Sequence, residues 1–265
     1  MSVDQENKER EITAVKKIVD HVDQQIRQVY GLESSSIPPA SEFLWTESDD
    51  ELKQLLGVDK LHPEASIYPI TVDGQYQATI IYLNSKVRER LSTSTPHSRL
   101  KGDNFGDYEA LVEEVSHYVY GNLYRQKYGQ SSHSAMTELI GVVDKFNIIQ
   151  ADFVHTYGEI ADPETQQGLF RINAGAYSPD LAGSTPQQYI IGHRLGVKYV
   201  GYLNHLANEG GDPSQELMNF YHAPNPAQLT HLLYDCGLDF ETHSEQEKAD
   251  TAKVFASLGV KAFVE

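Results

Sequence analysis

The feature that most limits how this chain can fold is a pair of long helical segments, 106–128 and 133–157, whose charged positions fall where burial is expected. At about 100° per residue, Leu111, Val112, Val115, Tyr118, Val119 and Leu123 form one apolar face of the first segment, and Glu113, Glu114 and His117 point roughly the other way. Ala110, Glu113, His117, Gly121 and Tyr124 share a stripe, and its small members leave room for another backbone. A helix apolar on one face and small on the other is expected to be buried on both. A buried Glu–His cluster must then be paired, hydrogen-bonded or metal-bound. On the second segment Glu138 shares a mostly buried stripe with Gly141, Val142, Lys145 and Ile149, whereas Asp144 lies on a different side, nearer Ile140 and Ile148. Gly129 and Gly158 end the two helices.

Around this pair the chain is ordered as follows. Residues 8–30 read as an amphipathic helix, with Ile12, Val15, Ile18, Val19, Val22, Ile26 and Val29 at three- and four-residue steps. A loop runs from Glu33 to Ala40, then a short helix from Ser48 to Leu56 with acidic residues in its first turn. Ile67–Val72, Asp73-Gly74 and Gln75–Leu83 read as a β-hairpin, because Asp-Gly suits a tight turn that needs positive φ. Ser85–Leu91 is a short helix and Ser92–Asn104 a polar loop. A Gly/Pro/Ser-rich connector, 159–185, precedes a helix from Pro186 to Asn208, signalled by Thr185-Pro186; Gly192, Gly196 and Gly201 along it point to close helix–helix contact. Helices at 213–222, 226–236 and 244–258 finish the chain. The expected fold is α+β and mostly helical, a small antiparallel hairpin sheet packed on long helices. Its expected division is a core over 1–158, the connector 159–185 and a helical C-terminal part over 186–265.

Composition excludes several function classes. The 265 residues carry 38 acidic and 21 basic side chains, a net charge of −17, so the surface repels phosphate backbones and anionic lipid, and neither nucleic acid nor membrane is expected as a partner. Hydrophobic residues make up 40 %, ample for a folded core, yet no apolar run is long enough to cross a bilayer. The opening MSVDQENKEREI lacks the apolar stretch of a signal peptide. Cys236 is the only cysteine, which rules out an internal disulfide and a cysteine-based zinc cluster. A cytoplasmic protein is expected.

The chemistry is concentrated in Glu113-Glu114-Val115-Ser116-His117 and Glu138. Glu113 and His117 are i,i+4 and Glu114 and His117 i,i+3, so pairs of these side chains can meet in front of the helix, the geometry by which one helix presents two ligands to one ion. The run 66–157 resembles the core of gluzincin-type zinc metallopeptidases, in which a strand precedes a helix carrying H-E-x-x-H and a later helix contributes a glutamate ligand. The resemblance makes Glu114 the general base, His117 a metal ligand and Glu138 the glutamate ligand, and it departs at Glu113, which stands where the first ligand histidine would be. With Glu113, His117 and Glu138 as ligands the set is one imidazole and two carboxylates, a harder site and a weaker Lewis acid, for which Mn²⁺ or Fe²⁺ is as suitable as Zn²⁺. Peptidase activity at neutral pH is expected to suffer. Glu114-Val115-Ser116-His117 is also the Glu-x-x-His unit of di-iron carboxylate bundles, without a clear second copy here.

The function expected is a zincin-like protein with a divergent metal site, a modified or inactive metal-dependent hydrolase. The alternative is a non-enzymatic helical interaction module with a protein or peptide partner, in which Glu113 or Glu138 holds His117 and Lys145 balances the charge. His193, Arg194, Tyr199 and His205 are candidate oxyanion donors between which the sequence does not choose. His155 and Tyr157 read as helix-end residues, His222 and His231 as structural, Cys236 as a small buried hydrophobe, and Tyr118, Tyr120, Tyr124 and Tyr128 as a packing stripe.

Overall fold

The computed structural model describes residues 3–73, 75–102, 104–161, 186–237, 252, 253 and 256. In chain order these form α1 (Val3–Val29), a 3₁₀ turn (Ala40–Phe43), α2 (Asp49–Leu56), β1 (Ala65–Val72), β2 (Gln75–Leu83), α3 (Ser85–Thr93), α4 (Pro96–Arg99), α5 (Asn104–Tyr128), α6 (Ser134–Tyr157), α7 (Pro186–Asn208), α8 (Pro213–Tyr221), α9 (Asn225–Thr230) and a π-helical turn (His231–Asp235). The fold is α+β and mostly helical, with one two-stranded antiparallel sheet packed on helices.

The apolar stripe of α1 buries Val15, Ile18, Val19, Val22 and Ile26 against the core. Each such side chain contributes about 1.5–3 kcal/mol relative to exposure. The helix begins earlier than the hydrophobic pattern does, since its polar first turns need only backbone propagation and solvent. Its last turn organises the following loop: Arg27 donates to Asp23 at 2.9 Å, to Ser35 at 3.0 Å and to the carbonyls of Ile37 and Pro38. The Ser48 capping box with Glu51 starts α2, and Gly57 at φ 67° ends it.

The hairpin pairs Ala65 with Leu83 through Val72 with Gln75, with a bulge between Ile70 and Thr71. Asp73 supplies the positive φ, 52°, that the turn demands. Both faces of β2 are covered near its end. Ile81 and Leu83 join the main core, while Tyr82 packs with Tyr68 and Leu52 in a second cluster beneath α2. The sheet also packs on α5.

Five residues, 129–133, join α5 to α6 and make a helical hairpin. α6 is flanked by α5 and α7, and α1 touches both α5 and α6. Two buried aspartates on α6 tie these layers together. Asp144 accepts hydrogen bonds from Tyr30 of the loop end of α1 and from Ser116 of α5, the latter at 2.5 Å. Asp152 accepts from Tyr108 of α5, from Gln25 at 2.9 Å, and pairs with His21 at 3.0 Å. The tyrosine stripe of α5 is packing surface: Tyr120 stands edge-on to Tyr221 at 5.0 Å, and Tyr221 stacks on Tyr30 at 3.6 Å.

The α6–α7 crossing is set by glycine. A Cβ on Gly192 would overlap the carbonyl oxygen of Ala135 and stand 2.7 Å from Glu138 Cβ; one on Gly196 would stand 2.7 Å from Val142 Cβ. Gly201, expected to belong to the same contact, is exposed with nothing near it, because five residues past Gly196 the helix has turned about 140° away. Gly121 likewise faces open space, so the close approach on the acid–histidine stripe of α5 occurs lower, at His117.

Two further expectations are corrected. The polar loop 92–104 contains α4, whose four residues are too few for a hydrophobic period but carry a proline start and a Thr95–Ser98 capping box. The predicted 226–236 helix is α-helical only to Thr230 and continues as the π turn. Of the helix predicted at 244–258 only residues 252, 253 and 256 are described, each helical, and residues 162–185 of the connector lie outside the described residues.

Candidate metal centre

α5 presents Glu113, Glu114 and His117, and α6 presents Glu138 and Lys145, to one interior spot between the two helices. His117 is buried, and the side chains of Glu113, Glu114 and Glu138 are 15 %, 15 % and 18 % exposed. The i,i+4 step places Glu113 and His117 on one face of α5. Gly141 then lets α6 close over them, since a Cβ there would stand 2.6 Å from His117 Nε2 and 3.3 Å from Glu113 Cγ. Glu113, His117 and Glu138 each bring a ligand atom within 4.8 Å of the others.

The two nitrogens of His117 are in different situations. Nδ1 is 3.4 Å from Glu114 Oε2. Nε2 faces Glu138 Oε2 at 3.8 Å, beyond hydrogen-bond reach, and both of these buried atoms are without a hydrogen-bond partner. Such orphaned buried groups are rare, because each costs about 1–3 kcal/mol. Glu113 is held from the other side by Lys145, Nζ to Oε2 2.9 Å.

The resemblance assigns Glu114 the general base; the structure places it behind the imidazole. In that position a carboxylate can hold the ring orientation and a proton on Nδ1, and Nε2 is the nitrogen that faces Glu138.

The electrostatics follow from burying several acids together. Burial alone would strip the proton from His117, but Glu138, Glu114 and Glu113 outweigh it and raise the imidazole to about 10. Burial lifts Glu138 to about 8, against the pull of His117. Glu113 goes the other way, to about 2, because Lys145 and His117 overcome its burial. Lys145 is raised: burial works against its charge and Glu113 and Glu109 outweigh it. Glu109, one turn before Glu113, is pushed by burial to about 7.

α7 forms the next wall. His193 is buried and its charge helps lower Glu113. Tyr189, one turn earlier, has its hydroxyl raised by burial first and then by Glu113, Glu138 and Glu114. Gly192 between them is the point where α7 meets Glu138. Of the candidate oxyanion donors, His193 is brought to the centre. Tyr199 instead donates to Glu216 at 2.9 Å, and His205 is an exposed partner of Glu209 at 3.2 Å. Tyr189 was missed, although its place four residues before His193, on the face marked by Gly192 and Gly196, was a signal.

Against family models, curated proteins and solved structures, the chain has no match. The case for a metal therefore rests on the donors themselves, and they fit one. An imidazole nitrogen and two carboxylate oxygens from two helices lie within 4.8 Å of one another, and a divalent ion between them would offset the acids that Lys145 does not pair. An imidazole with two carboxylates suits Zn²⁺, Mn²⁺ or Fe²⁺. Separately, the hydrophobic run of the described helices is nowhere long enough to cross a membrane.

Proposed function

We propose that this chain is a divalent-metal protein of the zincin-like kind, with Glu113, His117 and Glu138 as ligands and a modified metal-dependent hydrolase as its function. The observation that carries the reading is a pair of buried atoms, His117 Nε2 and Glu138 Oε2, that face each other across 3.8 Å with neither making a hydrogen bond. A finished structural network would have closed that gap with a hydrogen bond.

A bound divalent ion supplies Lewis-acid activation of water and of a polarised carbonyl. The chain's own residues do the rest. Glu114 orients the ring of His117 through Nδ1. Lys145 fixes Glu113 and offsets its charge. Tyr189 and His193 on α7 lie within electrostatic reach of these acids and would be the groups to meet developing negative charge. Burial of all these groups keeps bulk water from competing. Glu114 is a positioning residue in this reading, and the second carboxylate ligand makes activity at neutral pH weak.

The Lys145–Glu113 ion pair favours a second reading, in which the cluster is a structural network inside an interaction module and no ion binds. Elemental analysis separates the two. Purified wild type and His117→Ala are dialysed against Zn²⁺, Mn²⁺ or Fe²⁺ and counted. A wild type that holds one metal per chain more than the variant supports the proposal; no difference between them overturns it. Glu113→His is expected to strengthen zinc binding, and weaker binding would break the kinship with zincins.

A further inference from the structure

A second group of donors lies at the other end of α7 from the Tyr189–His193 wall. Glu216 of α8, His231 of the π turn and Cys236 just after it bring a carboxylate oxygen, an imidazole nitrogen and a thiol sulfur within 4.8 Å of one another, all half-buried. The π turn is what assembles them. Its i→i+5 hydrogen bond, Cys236 N to His231 O at 2.9 Å, stacks position 236 above position 231. In a continuous α-helix the same two side chains would diverge by about 140°. Here Cys236 Sγ is 3.3 Å from His231 Nε2.

The surroundings are those of a built site. His231 Nε2 faces Glu216 Oε1 at 2.5 Å, while Nδ1 is held by Asp235 Oδ2 at 2.9 Å. A carboxylate on the far nitrogen is the arrangement that fixes the tautomer of a metal-binding histidine. Glu216 is itself positioned by Tyr199, whose buried hydroxyl donates to Oε1 at 2.9 Å. We propose that Glu216, His231 and Cys236 form a binding site for a thiophilic divalent cation, zinc in the first instance. Thiolate and imidazole select Zn²⁺ over Mg²⁺ or Ca²⁺. Three protein ligands are the set of zinc sites that keep a position open for a further ligand. A tetrahedral ion spaces its ligands roughly 3.3–3.7 Å apart, so the thiol–imidazole distance already fits and Glu216 must withdraw by about 1 Å. Cys236 could instead be read as a nucleophile with His231 as its base. Geometry opposes that: the base nitrogen is nearer Glu216 than the sulfur, and the acids Glu216 and Asp235 flank a thiol that would need to be a thiolate.

The site is independent of the Glu113–His117–Glu138 reading, and cobalt makes the two distinguishable. Cys236 is the only cysteine, so thiolate-to-cobalt charge transfer can arise nowhere else. Co²⁺ titrated into the metal-free full chain is expected to produce that near-ultraviolet band. The band should survive His117→Ala and vanish in Cys236→Ser. Zn²⁺ should also slow alkylation of the single thiol by iodoacetamide by about tenfold or more in the wild type. Absence of the band in folded wild type, or thiol alkylation that zinc leaves unchanged, overturns the proposal; fast alkylation that zinc does not slow would point to the nucleophile instead.

Discussion

Two glycines in α7 should respond in opposite ways to the same substitution. At Gly192 a Cβ would overlap the Ala135 carbonyl and lie 2.7 Å from Glu138 Cβ, both parts of a rigid helix, whereas at Gly201 nothing lies within 4 Å. Neither glycine has the positive φ that would penalise alanine. Alanine in place of a helical glycine contributes about 1 kcal/mol from backbone entropy, and this should appear undiminished in Gly201→Ala. In Gly192→Ala it is opposed by a displacement of α7 of about 1 Å, an overpacking cost of roughly 1–3 kcal/mol or more. The two variants should therefore differ by the overpacking cost, about 1–3 kcal/mol or more in urea unfolding, with Gly201→Ala at or above the wild type and Gly192→Ala below it. Because the clash reaches Glu138 itself, Gly192→Ala should also lose metal while circular dichroism still reports a helical protein. If Gly192→Ala matches Gly201→Ala in stability, the glycine-set crossing is refuted.

Asp144 gives a pH test. Burial raises its carboxyl to about 7 from 3.8, with the hydrogen bonds from Ser116 and Tyr30 lowering it only in part. A raised carboxyl stabilises the fold below pH 4 and loses that contribution as pH rises through 7, about 4 kcal/mol in all. Asp144→Asn should flatten this segment of the stability–pH curve measured by urea unfolding; an unchanged slope between pH 4 and 7 would contradict it. Asp152 has the opposite sign: burial raises it, but hydrogen bonds from His21, Tyr108 and Gln25 outweigh burial and leave it lowered from 3.8. Its contribution is present above pH 4 and fades below, so Asp152→Asn should cost about 2 kcal/mol at pH 7 and less in acid, read as a thermal shift at each pH. Ser48→Ala removes the capping box of α2 and should cost about 1 kcal/mol in urea unfolding, with metal content unchanged.

Much of the local structure was legible in order. The stripe of α1, the Ser48 cap, the Asp73 turn and the ends of α5 and α6 are short-range matters, decided by periodicity and by residues whose conformational preferences act within a few positions. The meeting of Glu113 and His117 belongs to the same class, because i,i+4 geometry makes it so wherever the helix sits. The convergence of Glu138 was what the zincin resemblance implied, with its mostly buried stripe in support, and the structure brings it within 4.8 Å of Glu113 and His117. The α4 turn and the π turn escaped because neither carries a hydrophobic period of its own.

What the tertiary structure alone decided is the direction each buried polar group faces. Glu114 could have stood before the imidazole or behind it; the depth at which α6 settles on α5, permitted by Gly141, puts Glu138 on Nε2 and leaves Nδ1 to Glu114. His193 faces the centre and His205 faces solvent because Gly192 and Gly196, not Gly201, mark the face of α7 that meets α6. Cys236 looked like a small hydrophobe until a single i→i+5 hydrogen bond turned it onto His231 and a separate helix supplied Glu216. Backbone hydrogen bonds and side-chain periodicity act along the chain and can be read from it. The distance between donors on different helices depends on packing summed over the whole core, and no local pattern encodes that.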